Sequence, residues 1–196
     1  MKKFISVLLT VFLVLSSVSV AAFAAEKDNL KIAVASDLHY NVPREELEGN
    51  PSQPVEIDDP IYWYANRRAA MEDESGFIID EFLRQCAEDD SIEYVLIPGD
   101  LADNGRVVRE EHIAVAAKLK AFEEATGKDV FVINGNHDAS LNNDDTTFED
   151  FMAYYADFGW DKAIDTLEGT CSYTADLGEK YRLIALDSCH ASYSTE

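Results

Sequence analysis

Four short runs rich in β-branched and apolar residues recur along the chain, and patterns of helical period separate them. The runs are Lys31–Ala35, Glu93–Ile97, Asp129–Ile133 and Tyr181–Leu186. Nearly continuous apolar runs of this length suit strands buried on both faces of a sheet. Between them, Phe77, Ile78, Ile79, Phe82, Leu83 and Cys86 share one face of a helix beginning after Ser75. Val108, Val115, Leu119 and Phe122 mark a second helix, which stops at Gly127. Phe148, Phe151, Met152, Tyr155 and Phe158 mark a third, ending near Gly159. Strand alternating with helix predicts an α/β domain with a largely parallel core sheet. Thr170–Asp176 and Tyr181–Asp187 flank Leu177-Gly178-Glu179-Lys180, so a hairpin and a second sheet are expected there. Cys171 and Cys189 flank that hairpin and are expected to lie nearer each other than to Cys86.

The chain has 196 residues and 47% hydrophobic content, enough for one buried core. Its 38 acidic residues outnumber 16 basic ones, for a net charge of −22. A charge of that sign repels nucleic-acid phosphates and excludes DNA or RNA as a general partner. A phosphate substrate stays open, because a bound cation reverses the local field. Three cysteines make neither a disulfide scaffold nor a thiolate metal site.

Residues 1–24 read as a secretory signal peptide. Lys2 and Lys3 precede an apolar stretch from Phe4 to Leu15, and small residues lead to Ala22-Phe23-Ala24. The apolar run is short for a bilayer span of ~20 residues. No membrane span is therefore expected after cleavage, and the location is secreted or cell-surface. Residues 25–196 are expected to form one domain. Residues 41–74, with an acidic cluster from Glu45 to Asp59 and the aromatic Ile61-Tyr62-Trp63-Tyr64, read as a long excursion. Such excursions often form the rim of a site.

Ligands of parallel sheets bind beyond the carboxyl ends of the strands. Ser36-Asp37-Leu38-His39 follows the first strand. Pro98-Gly99-Asp100-Leu101-Ala102-Asp103-Asn104-Gly105 follows the second, and Asn134-Gly135-Asn136-His137-Asp138 the third. Asp37 and His39 are two apart, so extended backbone would point both side chains the same way. A carboxylate with an imidazole makes a partial shell for Mn, Fe or Zn. Asp100, after a glycine that allows a sharp turn, can bridge two cations. Asn136 offers a neutral carbonyl oxygen, and His137 is better placed to touch substrate. Taken singly, D-x-H is a common surface pair, G-D a turn or helix cap, and G-N-H-D a turn. In order, each at a strand end, they point to a metal centre.

These three segments resemble the first three motifs of the calcineurin-like metallophosphoesterases, a likeness that spans about residues 30 to 190. The resemblance implies a β-sandwich flanked by helices, in four α/β/β/α layers, with a two-metal centre at one edge. It implies that Asp37 and His39 bind the first metal, Asp100 bridges both and Asn136 binds the second. His137 would be the general acid or a phosphate contact, oriented by Asp103. Two cations would clamp the phosphoryl oxygens and activate a water for in-line attack. The implied substrate is a phosphate-ester small molecule or a lipid head group. The family completes its metal shells with later histidines, including a G-H-x-H motif. This chain has only His39, His112, His137 and His190, so it resembles the front part of a longer enzyme. His112 is expected on the exposed face of its helix, and His190 at a strand end that binds no metal. The competing reading is a non-catalytic secreted binding module with an incomplete metal site. Intact candidate ligands in all three motifs favour the enzyme.

Mass spectrometry of the exported protein is expected to find a mature start at Ala25, within a residue or two. Retention of Met1 would overturn the assignment of the leader.

Overall fold

The computed structural model describes residues 29–43, 72–139 and 146–189. The leader over 1–24, the acidic and aromatic parts of the excursion, and His190 lie outside the described residues. The chain divides into two units, Met1–Leu30 and Lys31–Glu196, and every element below belongs to the second.

Three of the apolar runs form a parallel sheet. Strand β1 (Ile32–Val34) pairs with β2 (Tyr94–Pro98), and β2 pairs with β3 (Asp129–Ile133). Helices α1 (Glu72–Glu88) and α2 (Arg109–Thr126) make the two crossovers, as parallel strands require. Ile79, Leu83 and Cys86 of α1 and Val115, Leu119 and Phe122 of α2 are buried. Their spacing gives each helix one apolar stripe. Phe77 and Ile78 leave that stripe and are exposed, because two and one residues before Ile79 the helix has turned them away from the Ile79, Leu83 and Cys86 face. Lys118 of α2 donates to both carboxylate oxygens of Asp80 on α1, at 2.7 and 2.9 Å. Gly127 ends α2 at φ 69°, a left-handed cap that costs glycine little.

The second sheet is antiparallel: β4 (Ala163–Thr166), β5 (Tyr173–Leu177) and β6 (Tyr181–Ala185), in that order. The hairpin falls where the sequence places it. Strand β4 has no signature of its own, because Ala-Ile-Asp-Thr is half polar and half exposed. A short helix α3 (Phe148–Tyr154) precedes this sheet and opens with a capping box between Thr147 and Asp150. Its apolar pattern outlasts its backbone. The helix ends at Tyr154, yet Phe158 is buried and its carbonyl accepts from the Val132 amide of β3. Tyr173 donates its hydroxyl to the Val132 carbonyl at 2.8 Å, so β5 reaches the same edge of β3. The architecture is thus mixed α/β, with one parallel and one antiparallel sheet.

Burial on both faces holds for β3 but not for every apolar run. Val130 to Ile133 are all buried, whereas Val34 of β1 and Ile184 of β6 are exposed. Strand β1 is a sheet edge, and β6 is an antiparallel edge strand with only Ala185 buried. Apolar side chains of the two sheets, among them Leu96, Phe131, Leu183 and Ala185, line a cleft of about 190 Å³. The amides of Cys171 and Cys189 both donate to Asp187, while Cys86 lies on α1, and all three are free thiols. Among the described residues, no helix is long and apolar enough to cross a membrane.

His112 corrects an expectation. It has no exposed surface, because it falls on the buried side of α2 with Glu111, Val115 and Leu119. Its Nε2 donates to the Asp138 carbonyl at 2.9 Å, and its Nδ1 meets the Tyr155 hydroxyl at 3.0 Å. A carbonyl can only accept, so this pair selects the Nε2–H tautomer. Tyr154 stacks on the ring at 5.6 Å. Burial, opposed only in part by the backbone hydrogen bonds, lowers its pKa from 6.5 to about 4.

The sign follows from linkage. The unfolded chain binds this proton more readily, so the contribution is complete above pH 6.5 and lost as pH falls through about 4. That shift is worth about 3 kcal/mol. Unfolding free energies between pH 4 and 7 should therefore fall less steeply in His112→Gln than in the parent protein. Parallel pH profiles would refute the assignment.

Candidate metal centre

The chains leaving β1 and β2 run side by side. The Asp37 amide donates to the Gly99 carbonyl at 3.1 Å, His39 to Asp100 at 3.0 Å and Tyr40 to Leu101 at 3.0 Å. The Asp103 amide returns a bond to the Tyr40 carbonyl at 3.0 Å. This ladder carries Asp37 and His39 alongside Asp100 and Asp103. The backbone along it is not extended, as the D-x-H spacing suggested. Asp37, His39 and Asp100 all take left-handed φ, at 57°, 45° and 50°. A left-handed residue other than glycine costs about 1–2 kcal/mol. Strain of this kind persists where surrounding bonds impose it, and it gathers at functional sites.

The loop after β3 joins from the other side. The His137 amide donates to Asp100 Oδ1 at 2.9 Å. Asp138, fully buried, accepts from the Ala102 amide at 3.0 Å with one oxygen and from the Gly135 amide at 2.7 Å with the other. Gly135 is required here by space. A Cβ on it would lie 2.1 Å from Asp100 Oδ1.

The result is a cluster of opposite chemistry. His39 Nε2 stands 3.8 Å from Asp37 Oδ1 and 3.8 Å from Asp100 Oδ2. These separations are too long for hydrogen bonds. They suit donor atoms that share one cation at ~2.1 Å from each. One donor atom from each of the three residues falls within 4.8 Å of the others. His39 Nδ1 is buried and makes no hydrogen bond, although Asp103 Oδ1 lies 3.0 Å away, off the hydrogen-bonding line. Nε2 is the ring nitrogen turned toward the Asp37 and Asp100 carboxylates. Asp37 is exposed and accepts from the Ser36 hydroxyl. Two carboxylates with one imidazole fit Mn, Fe or Zn.

His137 lies on the same edge. Its ring meets His39 edge-on, with centroids 4.7 Å apart. Its Nδ1 donates to the Asp103 backbone carbonyl at 2.6 Å, while the Asp103 carboxylate is 3.9 Å away. Asp103 thus holds His137 through its main chain and turns its side chain toward His39. Asn136 is exposed at the turn between Gly135 and His137. A second group of donor atoms, from His39, Asp103 and His137, also falls within 4.8 Å.

This clustering at the ends of three parallel strands agrees with comparison to known families. The calcineurin-like phosphoesterase profile matches residues 30–190. The chain belongs to the calcineurin-like phosphoesterase family. Among curated proteins, none matches it significantly. Metal-dependent phosphoester hydrolysis is the general activity of this family. At that level the chain is a hydrolase with His and Asp groups able to hold a metal.

Asp138 is the supporting residue to which motif reading gave no role. It is the last residue of G-N-H-D, and only its two buried amide contacts give it a purpose. Burial pushes its carboxyl up from 3.8 to about 7, against the pull of the Ala102 and Gly135 amides. In sequence it is one acidic residue among many.

Gly135→Ala should displace the Asp100 carboxylate and lower metal affinity by at least ten-fold by calorimetric titration with Mn(II). Overpacking of this kind costs ~1–3 kcal/mol. Unchanged affinity would show that the loop yields without moving Asp100.

Proposed function

We propose that this chain is a secreted phosphoesterase whose two divalent cations are held by Asp37, His39, Asp100 and Asn136. The observation that carries the reading is the spacing of His39 Nε2 from the Asp37 and Asp100 carboxylates, 3.8 Å each, at three left-handed positions. When bound, the metals would neutralise phosphoryl charge and supply an activated water. Asp100 is the bridging residue of this reading. Its Oδ2 faces His39, and its Oδ1 faces the loop that carries Asn136.

His137 acts on the leaving group. Its Nδ1–H is held by the Asp103 carbonyl at 2.6 Å, which leaves Nε2 as the nitrogen that meets substrate. As the imidazolium, protonated at both nitrogens, it gives the Nε2 proton to the departing alkoxide and is left as the neutral Nδ1–H tautomer. No covalent enzyme intermediate is needed. Substrates are small phosphate esters or lipid head groups. The net charge of −22 disfavours long nucleic acids, whose charge lies beyond the reach of two cations. A non-catalytic module has no need to keep Asp37, His39 and Asp100 as metal-binding groups within 4.8 Å of one another, and this speaks against that reading.

Two substitutions separate the roles. Asp100→Asn should lose both metals by elemental analysis and abolish hydrolysis of an activated phosphodiester. His137→Ala should keep its metals and lower turnover by roughly 10²–10⁴-fold. Retention of two metals by Asp100→Asn would remove the bridging role. Loss of metal from His137→Ala would make that residue a ligand.

A further inference from the structure

A carboxyl outside the reacting cluster is linked to it through Asn104 and Asp103. Glu111, in the first turn of α2, has no exposed surface. Its Oε2 accepts from the Asn104 amide at 2.7 Å, and its Oε1 accepts from the Asn104 side-chain Nδ2 at 3.4 Å. The Val42 amide, in the chain leaving β1, also donates to it. Asn104 Nδ2 donates onward to Asp103 Oδ2 at 3.1 Å. The other Asp103 oxygen faces His39 Nδ1 at 3.0 Å, and the Asp103 carbonyl holds His137 Nδ1 at 2.6 Å.

We propose that Glu111 is a positioning residue: by gripping Asn104 it sets Asp103, and through the Asp103 carbonyl the ring of His137, with the Asp103 carboxylate left facing His39. The proposal rests on the phosphoesterase reading given above. Glu111 holds the turn through the Asn104 main-chain amide. Glu111 also takes one hydrogen of the Asn104 side-chain amide, while Asp103 takes an Asn104 Nδ2 hydrogen as well. One amide thus links two acidic side chains. Burial makes the arrangement costly, since it raises the Glu111 carboxyl from 4.5 to about 8 despite the Asn104 contacts. An apolar residue at this helix position would avoid that cost.

The test separates positioning from stability by the leaving group. A nitrophenolate departs without a proton, whereas an alkoxide requires one. Glu111→Gln keeps size and shape but points an NH₂ group at neighbours that are themselves donors. On an alkyl phosphoester it should lower kcat about ten-fold more than on the nitrophenyl ester, with KM changed less than two-fold, a share of the general-acid effect. Asn104→Leu, which cannot bridge, should reproduce the same selective loss while Glu111 stays in place. Equal losses on both esters in both variants would overturn the proposal and leave a structural role. A second readout needs neither metal nor turnover. In the metal-free protein, the His137 Nδ1–H should be visible by NMR as an exchange-protected imidazole proton, and both variants should lose it. Its persistence in the variants would overturn the proposal. Its loss in the variants, in a parent protein that hydrolyses no ester, would uphold the positioning and refute the phosphoesterase reading alone.

Discussion

Asp138 places a carboxylate where no water reaches it, and both of its oxygens accept from backbone amides of different loops. One is Ala102, in the chain leaving β2, and the other is Gly135, in the chain leaving β3. A buried carboxylate without such donors would cost several kcal/mol. The two loops are therefore held in the one arrangement that supplies both amides. That arrangement presses Gly135 against Asp100 and brings the His137 amide to Asp100 Oδ1. The third loop is tied in by the Asp37, His39 and Tyr40 amides. Asp100 thus receives bonds from both neighbours, on its carbonyl from His39 and on its side chain from His137.

A second layer supports the first. His112 grips the Asp138 carbonyl and Tyr155, and Glu111 grips Asn104 and Val42. Both residues stand at the start of α2, side by side in sequence, and point to different loops. One helix turn therefore steadies the chain after β2 and the chain after β3 together. Each interaction is modest alone, about 0.5–1.5 kcal/mol for an ordinary hydrogen bond. Their effect lies in removing alternatives. A left-handed Asp37, His39 or Asp100 would relax if its loop were free, and none of these loops is.

Some of this was legible from residue order. Periodicity placed three parallel strands and their helices, because burial on a sheet and on a helix stripe leaves a period that needs no partner to be seen. Polar residues directly after each strand pointed to the candidate cluster, since parallel strands end at one edge. His112 was misread for a physical reason. Helical spacing assigns a face from apolar residues, and a histidine satisfied by a carbonyl and a tyrosine looks polar until those partners are present. Strand β4 was missed because its pairing with β5, not its composition, makes it a strand. The exposed Ile184 and Val34 show the same limit, as an apolar run states what a strand can bury but not whether an edge is covered.

The sequence by itself determined the class of fold, the identity of the chemical groups and the edge at which they meet. It did so because local propensity and strand direction are properties of short segments. Only the tertiary structure decided how those groups face each other. The D-x-H pair converges through left-handed backbone rather than through the alternation of an extended strand. Asp103 holds His137 by its carbonyl and turns its carboxylate to His39. Glu111, His112 and Asp138 became polar supports only when burial removed water and left them the amides, carbonyls and hydroxyls of distant segments. Such contacts join residues up to tens of positions apart, and no local pattern records them.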